Sequence, residues 1–149
     1  DVVIAQAAIR QEGTSKEYLP IEYPAVADID CSLALRESAK GLGLTCHTGV
    51  VQCKDSFYGQ HSPNKMPVSY ELLNKWDAWI KGGALCSEME TASLFTVAST
   101  LRLHAGAVLL VIWNQEREKQ GLPQENCFDT DRAIRVAIGA IRKLIDNNK

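Results

Sequence analysis

The chain has 149 residues, enough for one domain with a substantial core, and its 46% apolar and 23% charged content is that of an ordinary soluble globular protein. A formal net charge of −2, with sixteen basic residues scattered rather than clustered, leaves no electrostatic footprint for nucleic acid or an anionic membrane, and neither a membrane-length apolar run nor a basic-then-apolar leader is present. Five cysteines, Cys31, Cys46, Cys53, Cys86 and Cys127, form no Cys-x-x-Cys pair, so neither a disulfide framework nor a metal site is indicated and a reducing cytoplasm fits best.

Asp1 to Arg10 reads as a strand that opens without an initiator methionine, as a piece of something longer does. Gln11 to Pro24, with Gly13, Pro20 and Pro24, reads as an irregular surface excursion. Asp28 or Asp30 can cap a helix from Cys31 to Lys40, with Leu33, Leu35 and Ala39 as buried candidates and Gly41 and Gly43 as stops. A second strand is expected from Thr45 to Cys53. A loop rich in Gly, Pro, Ser and Asn follows from Lys54 to Ser69, and Tyr70 to Lys81 has helical period with Leu72, Leu73, Trp76, Trp79 and Ile80 on one side. Trp76 and Trp79 read as packing or subunit-contact groups.

The apolar run Gly83 to Cys86 predicts a short third strand that ends at Ser87-Glu88-Met89-Glu90-Thr91-Ala92, where a helix begins. Gly106 to Trp113 predicts a fourth strand buried on both faces, and Asp129 or Asp131 caps a last amphipathic helix bearing Ile134, Val136, Ile138, Ile141, Leu144 and Ile145. Strands and helices alternate throughout. The expected fold is α/β, three layers with helices on both faces of a central, mainly parallel sheet, in one domain over residues 1–149.

In such a sheet, ligands meet the carboxyl ends of strands, which gathers Asp55 to Gln60, Glu88 to Glu90 and Asn114 to Arg117 into one candidate site. An ionised Glu only accepts hydrogen bonds, and its two oxygens suit the vicinal diol of a ribose. The competing reading is that these acids merely complement a helix dipole. Phe57 can lie against a heterocyclic base, a contact that contributes roughly 1–3 kcal/mol, or it can be a core aromatic. Gln60 presents acceptor and donors complementary to a uracil-like edge, or it is a solvated loop residue. Asn114 closes a buried strand and either binds a ligand or caps its own loop. His61 is the better histidine candidate for a ligand contact; His47 reads as a core histidine and His104 as a surface one.

Taken in order, Pro24-Ala25-Val26-Ala27-Asp28, Asp55-Ser56-Phe57-Tyr58-Gly59-Gln60, Met66-Pro67-Val68-Ser69-Tyr70-Glu71-Leu72-Leu73-Asn74-Lys75-Trp76, Glu88-Met89-Glu90-Thr91-Ala92 and Val111-Ile112-Trp113-Asn114-Gln115-Glu116-Arg117 resemble the uridine phosphorylases of the hexameric nucleoside phosphorylase superfamily, over their C-terminal half to two-thirds. The resemblance implies a phosphorylase-like sheet without its N-terminal strands, and reversible phosphorolysis of uridine to uracil and ribose 1-phosphate. It implies inorganic phosphate as co-substrate and no other cofactor, and assembly into hexamers built of dimers.

By position, Glu90 would hold the ribose diol, Met89 would pack beside the 2′-hydroxyl and Glu88 would support that contact. Phe57 would stack, Gln60 would bind the pyrimidine edge, and Tyr58, His61, Asn114 and Arg117 would line the substrate site. Many relatives carry arginines where this chain has Ser62 and Gln115; His61, Lys65 or Arg117 are candidate replacements. Asn114 stands where purine-selective relatives have an aspartate, and a neutral amide argues against purines. The relatives' phosphate loop and arginines precede the region that Asp1 begins. The alternatives are a nucleoside-binding module without turnover and a purine phosphorylase or nucleoside hydrolase of the same superfamily.

Overall fold

A computed structural model of the chain describes residues 1–147. Its centre is a mixed sheet in which β1 (Val2–Arg10) pairs in parallel with β3 (Cys46–Cys53), and β3 in parallel with β4 (Ser87–Glu88). The other edge of β1 is shared: β5 (Ala107–Leu110) lies antiparallel along Val2 to Ala5, and the two-residue β2 (Ala25–Val26) antiparallel along Ala7 and Ala8.

The unbroken apolar run of β1 follows from burial on both faces. Val3 and Ala5 pack with Val51, Cys53, Ala92 and Phe95 under α5 (Thr91–Thr100), while Val2 and Ile4 pack with Leu35, Ala39, Val136 and Ala140 of α2 (Ile29–Gly41) and α7 (Asp131–Asn147). Ala8 joins the odd-numbered Val3 and Ala5 because the register shifts between Ala5 and Ala7, and an extra residue there exchanges the faces. The three layers expected are those observed. Capping of α2 also follows the sequence, and Asp28 is the cap: its Oδ1 accepts from the Cys31 N–H at 2.9 Å.

Several expectations need correction. The segment Gln11 to Pro24 is tied down, because Arg10 at the end of β1 turns inward and uses its fork of donors on it. Arg10 Nε donates to Ser15 Oγ at 3.0 Å, Nη2 to the carbonyls of Ser15 and Leu19 at 2.8 and 2.7 Å, and Nη1 to those of Pro20 and Tyr23. A short helix, α1 (Thr14–Tyr18), forms within it. Beside it the buried Glu12 accepts from the Ser15 N–H at 2.8 Å and from Ser93 Oγ at 2.9 Å. Burial raises the Glu12 pKa, but these hydrogen bonds and the Arg10 charge outweigh it and hold the carboxyl below its ordinary range.

The third strand is Ser87–Glu88, four residues later than the hydropathy indicates, although Leu85 and Cys86 already exchange backbone hydrogen bonds with β3. The fourth strand ends at Leu110 and is only partly buried. Leu33 is exposed, whereas Leu35 and Ala39 are buried. His47 is not a core residue: its side chain is half exposed and meets Asp1 at 3.0 Å. Among the described residues of α7 only Val136 and Ala140 are fully enclosed, and Ile134, Ile138, Ile141 and Ile145 remain exposed. No helix among the described residues is long and apolar enough to cross a membrane.

Candidate functional site

Directly after β3 the chain turns through α3 (Phe57–His61), started by Ser56, whose Oγ accepts from the Gly59 N–H at 3.1 Å. Phe57 is half exposed rather than a core aromatic, and Tyr58 is exposed. The Phe57 ring lies 4.0 Å from that of His61, which lies 5.4 Å from Trp113. Burial, with the nearby Lys54 charge adding to it, pushes the His61 pKa down, so the imidazole is neutral at neutral pH.

A polar network from three strand ends holds Gln60. Lys54 Nζ donates to Ser87 Oγ at 2.5 Å, and Ser87 Oγ lies 2.6 Å from Gln60 Oε1 and within reach of Gln52 Oε1. One hydroxyl proton serves one of these two acceptors at a time. Gln60 Nε2 donates to Gln115 Oε1 at 3.1 Å, and Gln52 Nε2 donates to Gln11 Oε1. The amide of Gln60 is therefore oriented from both ends, with its second N–H uncommitted. Gln60 is half-buried and bonded, unlike a solvated loop residue.

Part of this network walls a cavity of about 400 Å³ bounded by α3, by α4 (Ser69–Lys81) and by α6 (Gln115–Lys119), with Ser87 and Gln52 standing behind it. Its polar lining includes Gln11, Lys54, Gln60 and Gln115; its apolar lining includes Leu72 together with Trp76 and Trp79. The two tryptophans thus face a cavity, beyond the packing role expected of them. Trp76 Nε1 donates to Glu116 Oε1 at 2.8 Å, which ties α4 to α6.

The acidic segment divides its labour. Glu88 Oε2 accepts from the backbone N–H groups of Glu90 and Thr91, both at 2.7 Å, so this carboxylate caps α5. Its other oxygen is buried without a partner, beside the Cys53 thiol, whose pKa burial pushes up to about 12. Glu90 makes no such cap and its carboxylate is exposed, with Met89 also at the surface. Neither lines the cavity. Ser87, however, precedes Glu88 directly and bonds Gln60, which ties the acidic segment to the amide.

Because β5 is antiparallel to β1, its end does not lie with those of β3 and β4, and the premise that three strand ends share one edge is incorrect. The segment after it nevertheless reaches back, bringing Trp113 and Gln115 to α3. Asn114 caps its own loop: its Oδ1 accepts from the N–H groups of Glu116 and Arg117 at 3.1 and 3.0 Å. Arg117 is turned onto the Pro123 carbonyl, with Nε at 3.2 Å and Nη2 at 2.7 Å. Neither lines the cavity, where Gln115 and Lys119 stand instead.

Sequence reasoning missed Lys54, Ser87, Gln52 and Gln11. The available signal was Gln52 and Lys54 alternating with Val51 and Cys53 at the apolar end of a strand, where polar side chains need partners. Among the described residues no cluster of His, Cys, Asp and Glu could hold a metal ion.

Residues 1–146 match the model of the phosphorylase superfamily. The chain belongs to that superfamily. Within the superfamily it is 56% identical over 144 residues to the uridine phosphorylase of Treponema pallidum, covering 97% of this chain and 56% of that protein. It is 43% identical over 149 residues to the uridine phosphorylase of Thermococcus kodakarensis, covering 98% and 52%. The guanosine phosphorylase of Halorubrum lacusprofundi is more distant, at 33% over 151 residues, covering 97% and 58%. The chain thus spans a little over half the length of the curated relatives it matches.

Proposed function

We propose that this chain supplies the base and ribose sites of a phosphorylase that cleaves uridine reversibly to uracil and ribose 1-phosphate, in pyrimidine salvage, as a cytoplasmic oligomer, a hexamer of dimers, with inorganic phosphate as co-substrate. The observation that carries this reading is the Gln60 amide, fixed by Ser87 and Gln115 in the wall of a cavity of about 400 Å³, beside the strand end that presents Glu90. The similarity to uridine phosphorylases supports it.

In this reading Gln60 pairs with the pyrimidine edge, Phe57 stacks with help from Tyr58 and His61, and Glu90 accepts from the ribose hydroxyls with Met89 beside it. Glu88 holds the helix start that positions both. Glycosidic cleavage builds positive charge on the ribose, so the Glu90 contact strengthens in the transition state and raises turnover rather than uniform binding. Phosphate is already an anion and needs no general base. Asn114 and Arg117 act by shaping the loop that carries Gln115.

A substrate panel tests the reading. The intact protein is incubated with phosphate and uridine, thymidine, inosine or guanosine, and the freed bases are separated. Uracil as the main product is expected; release of hypoxanthine or guanine in preference would replace this reading by the purine one.

A further inference from the structure

We propose that Glu12 is a positioning residue for the ribose subsite: its buried carboxylate grips the first turn of α5 through Ser93 and so fixes where Glu90 stands. This rests on the phosphorolysis reading, in which Glu90 meets the ribose hydroxyls, and adds to it the group that holds Glu90 in place. Glu12 is 2% exposed and lies in the turn directly after β1. Its Oε2 accepts from the Ser15 N–H at 2.8 Å and from Ser93 Oγ at 2.9 Å, so one carboxylate oxygen joins α1 to α5. Arg10 closes the other side of the joint, with Nε on Ser15 Oγ and Nη2 on the Ser15 carbonyl. With the Arg10 charge nearby the carboxylate is ionised, and the hydrogen bonds it accepts are charge-assisted.

Glu90 has little of its own to hold it. It stands at the N-cap position of α5 without a side-chain cap, its side chain is exposed, and its backbone N–H goes to Glu88 Oε2 at 2.7 Å. Ser93 lies three residues on, in the turn that the Glu90 carbonyl closes by accepting from the Leu94 N–H at 2.9 Å. Two carboxylates thus clamp this turn, Glu88 from the end of β4 and Glu12 from the end of β1. One anchor leaves a helix end free to pivot, and a second anchor a few residues away removes that freedom.

The neighbours of Glu12 in sequence bond elsewhere, which separates their effects from its own. Gln11 Oε1 accepts from Gln52 Nε2 behind the cavity, and the Gly13 N–H donates to Asp55 Oδ2 at 3.0 Å, ahead of α3. Those two contacts serve the elements that carry Gln60 and Phe57, whereas Glu12 serves the helix that begins at Glu90. A displacement of about 1 Å in a group aimed at the reacting sugar costs on the order of 10²-fold in rate, so a positioning bond of this kind is read in turnover.

Kinetics and binding on the intact protein test this together. Phosphorolysis of uridine and of 2′-deoxyuridine is followed with phosphate in excess, and uracil affinity is measured by calorimetry. Ser93→Ala, which removes the hydroxyl and leaves the acid, is expected to lower kcat for uridine by roughly 10-fold, and Glu12→Ala by roughly 10- to 100-fold. Both are expected to bring the kcat/KM values of uridine and 2′-deoxyuridine closer together. Uracil affinity is expected to change by less than about threefold, and in a Glu90→Gln background Ser93→Ala is expected to add less than about twofold to the loss, because it acts through Glu90. If Glu12→Ala does not fold, Ser93→Ala, the milder change, carries the comparison. An unchanged kcat in Ser93→Ala, uracil affinity lost in step with kcat, or a full further loss in the Glu90→Gln background would overturn the proposal. No phosphate-dependent loss of uridine with the unaltered protein would overturn the phosphorolysis reading as well; turnover by the unaltered protein with any of those three results would overturn this inference alone.

Discussion

The two acids that flank Met89 differ in what surrounds them, and that difference sets what each substitution should do. Glu88 accepts two backbone N–H groups at the start of α5. Glu88→Ala leaves those donors without their acceptor, and the expected result is a loss of about 1 kcal/mol of stability by thermal or urea unfolding, the usual scale for a lost cap. Glu90 accepts none of them and is exposed, so Glu90→Gln should leave the unfolding midpoint in place. In the proposed reading its effect is on uridine turnover, an expected fall of roughly 10²–10³-fold in kcat with a smaller change in KM, because the carboxylate would act on charge that exists only in the transition state. Gln60→Leu removes both ends of an oriented amide and leaves the Ser87 hydroxyl to Gln52 and Lys54, and weaker uridine binding by about 1–3 kcal/mol is expected by calorimetry. The chemical types of Gln60 and Glu90 are legible in the chain, whereas Lys54 and Ser87 are not: each is an ordinary polar residue until β3 and β4 pair and bring them together.

The helices show how local signals compete with packing. Asp28 caps α2 and also meets His104, and the hydrogen bond from His104, then that from Cys31, lowers the Asp28 pKa. A carboxyl whose folded pKa lies below its unfolded value gives stability that is present above the unfolded value and is lost as pH falls through the folded one. The stability gap between the unaltered protein and Asp28→Asn, read as melting temperature against pH, should therefore close on acidification. Gly139 sits in α7 where an added Cβ would stand 2.2 Å from Ser38 Oγ and 3.3 Å from Ser38 Cβ on the buried face of α2. Ala in place of Gly favours a helix by about 1 kcal/mol, but overpacking costs about 1–3 kcal/mol, so Gly139→Ala alone should destabilise in urea unfolding. Adding Ser38→Ala removes the nearest atom and should recover most of the loss. Legibility at this scale follows element length: the long periodic helices and β1 announce themselves, while β2, with two residues, and α1, held in place by Arg10, have too little local pattern to be seen.

For the molecule as a whole, the alternation of strands and helices dictates three layers, and the double burial of β1 makes it the spine of both cores. Phe95 is the largest fully buried side chain, and Phe95→Ala should cost about 3–5 kcal/mol by denaturant unfolding. The direction of β5 was not legible, since an apolar strand has the same composition whichever way it runs; only its antiparallel pairing with Val2 to Ala5 reveals it. The consequence is that the loop carrying Gln115 reaches the site by a route other than the one strand order suggests, and it brings Gln115, not Asn114, to the cavity. Whether this fold binds a pyrimidine nucleoside for attack by phosphate is decided by following the ultraviolet loss of uridine on incubation with the intact protein, with and without inorganic phosphate. Loss only in the presence of phosphate, with ribose 1-phosphate as the sugar product, is the predicted result; loss without phosphate, or none in either condition, would contradict it.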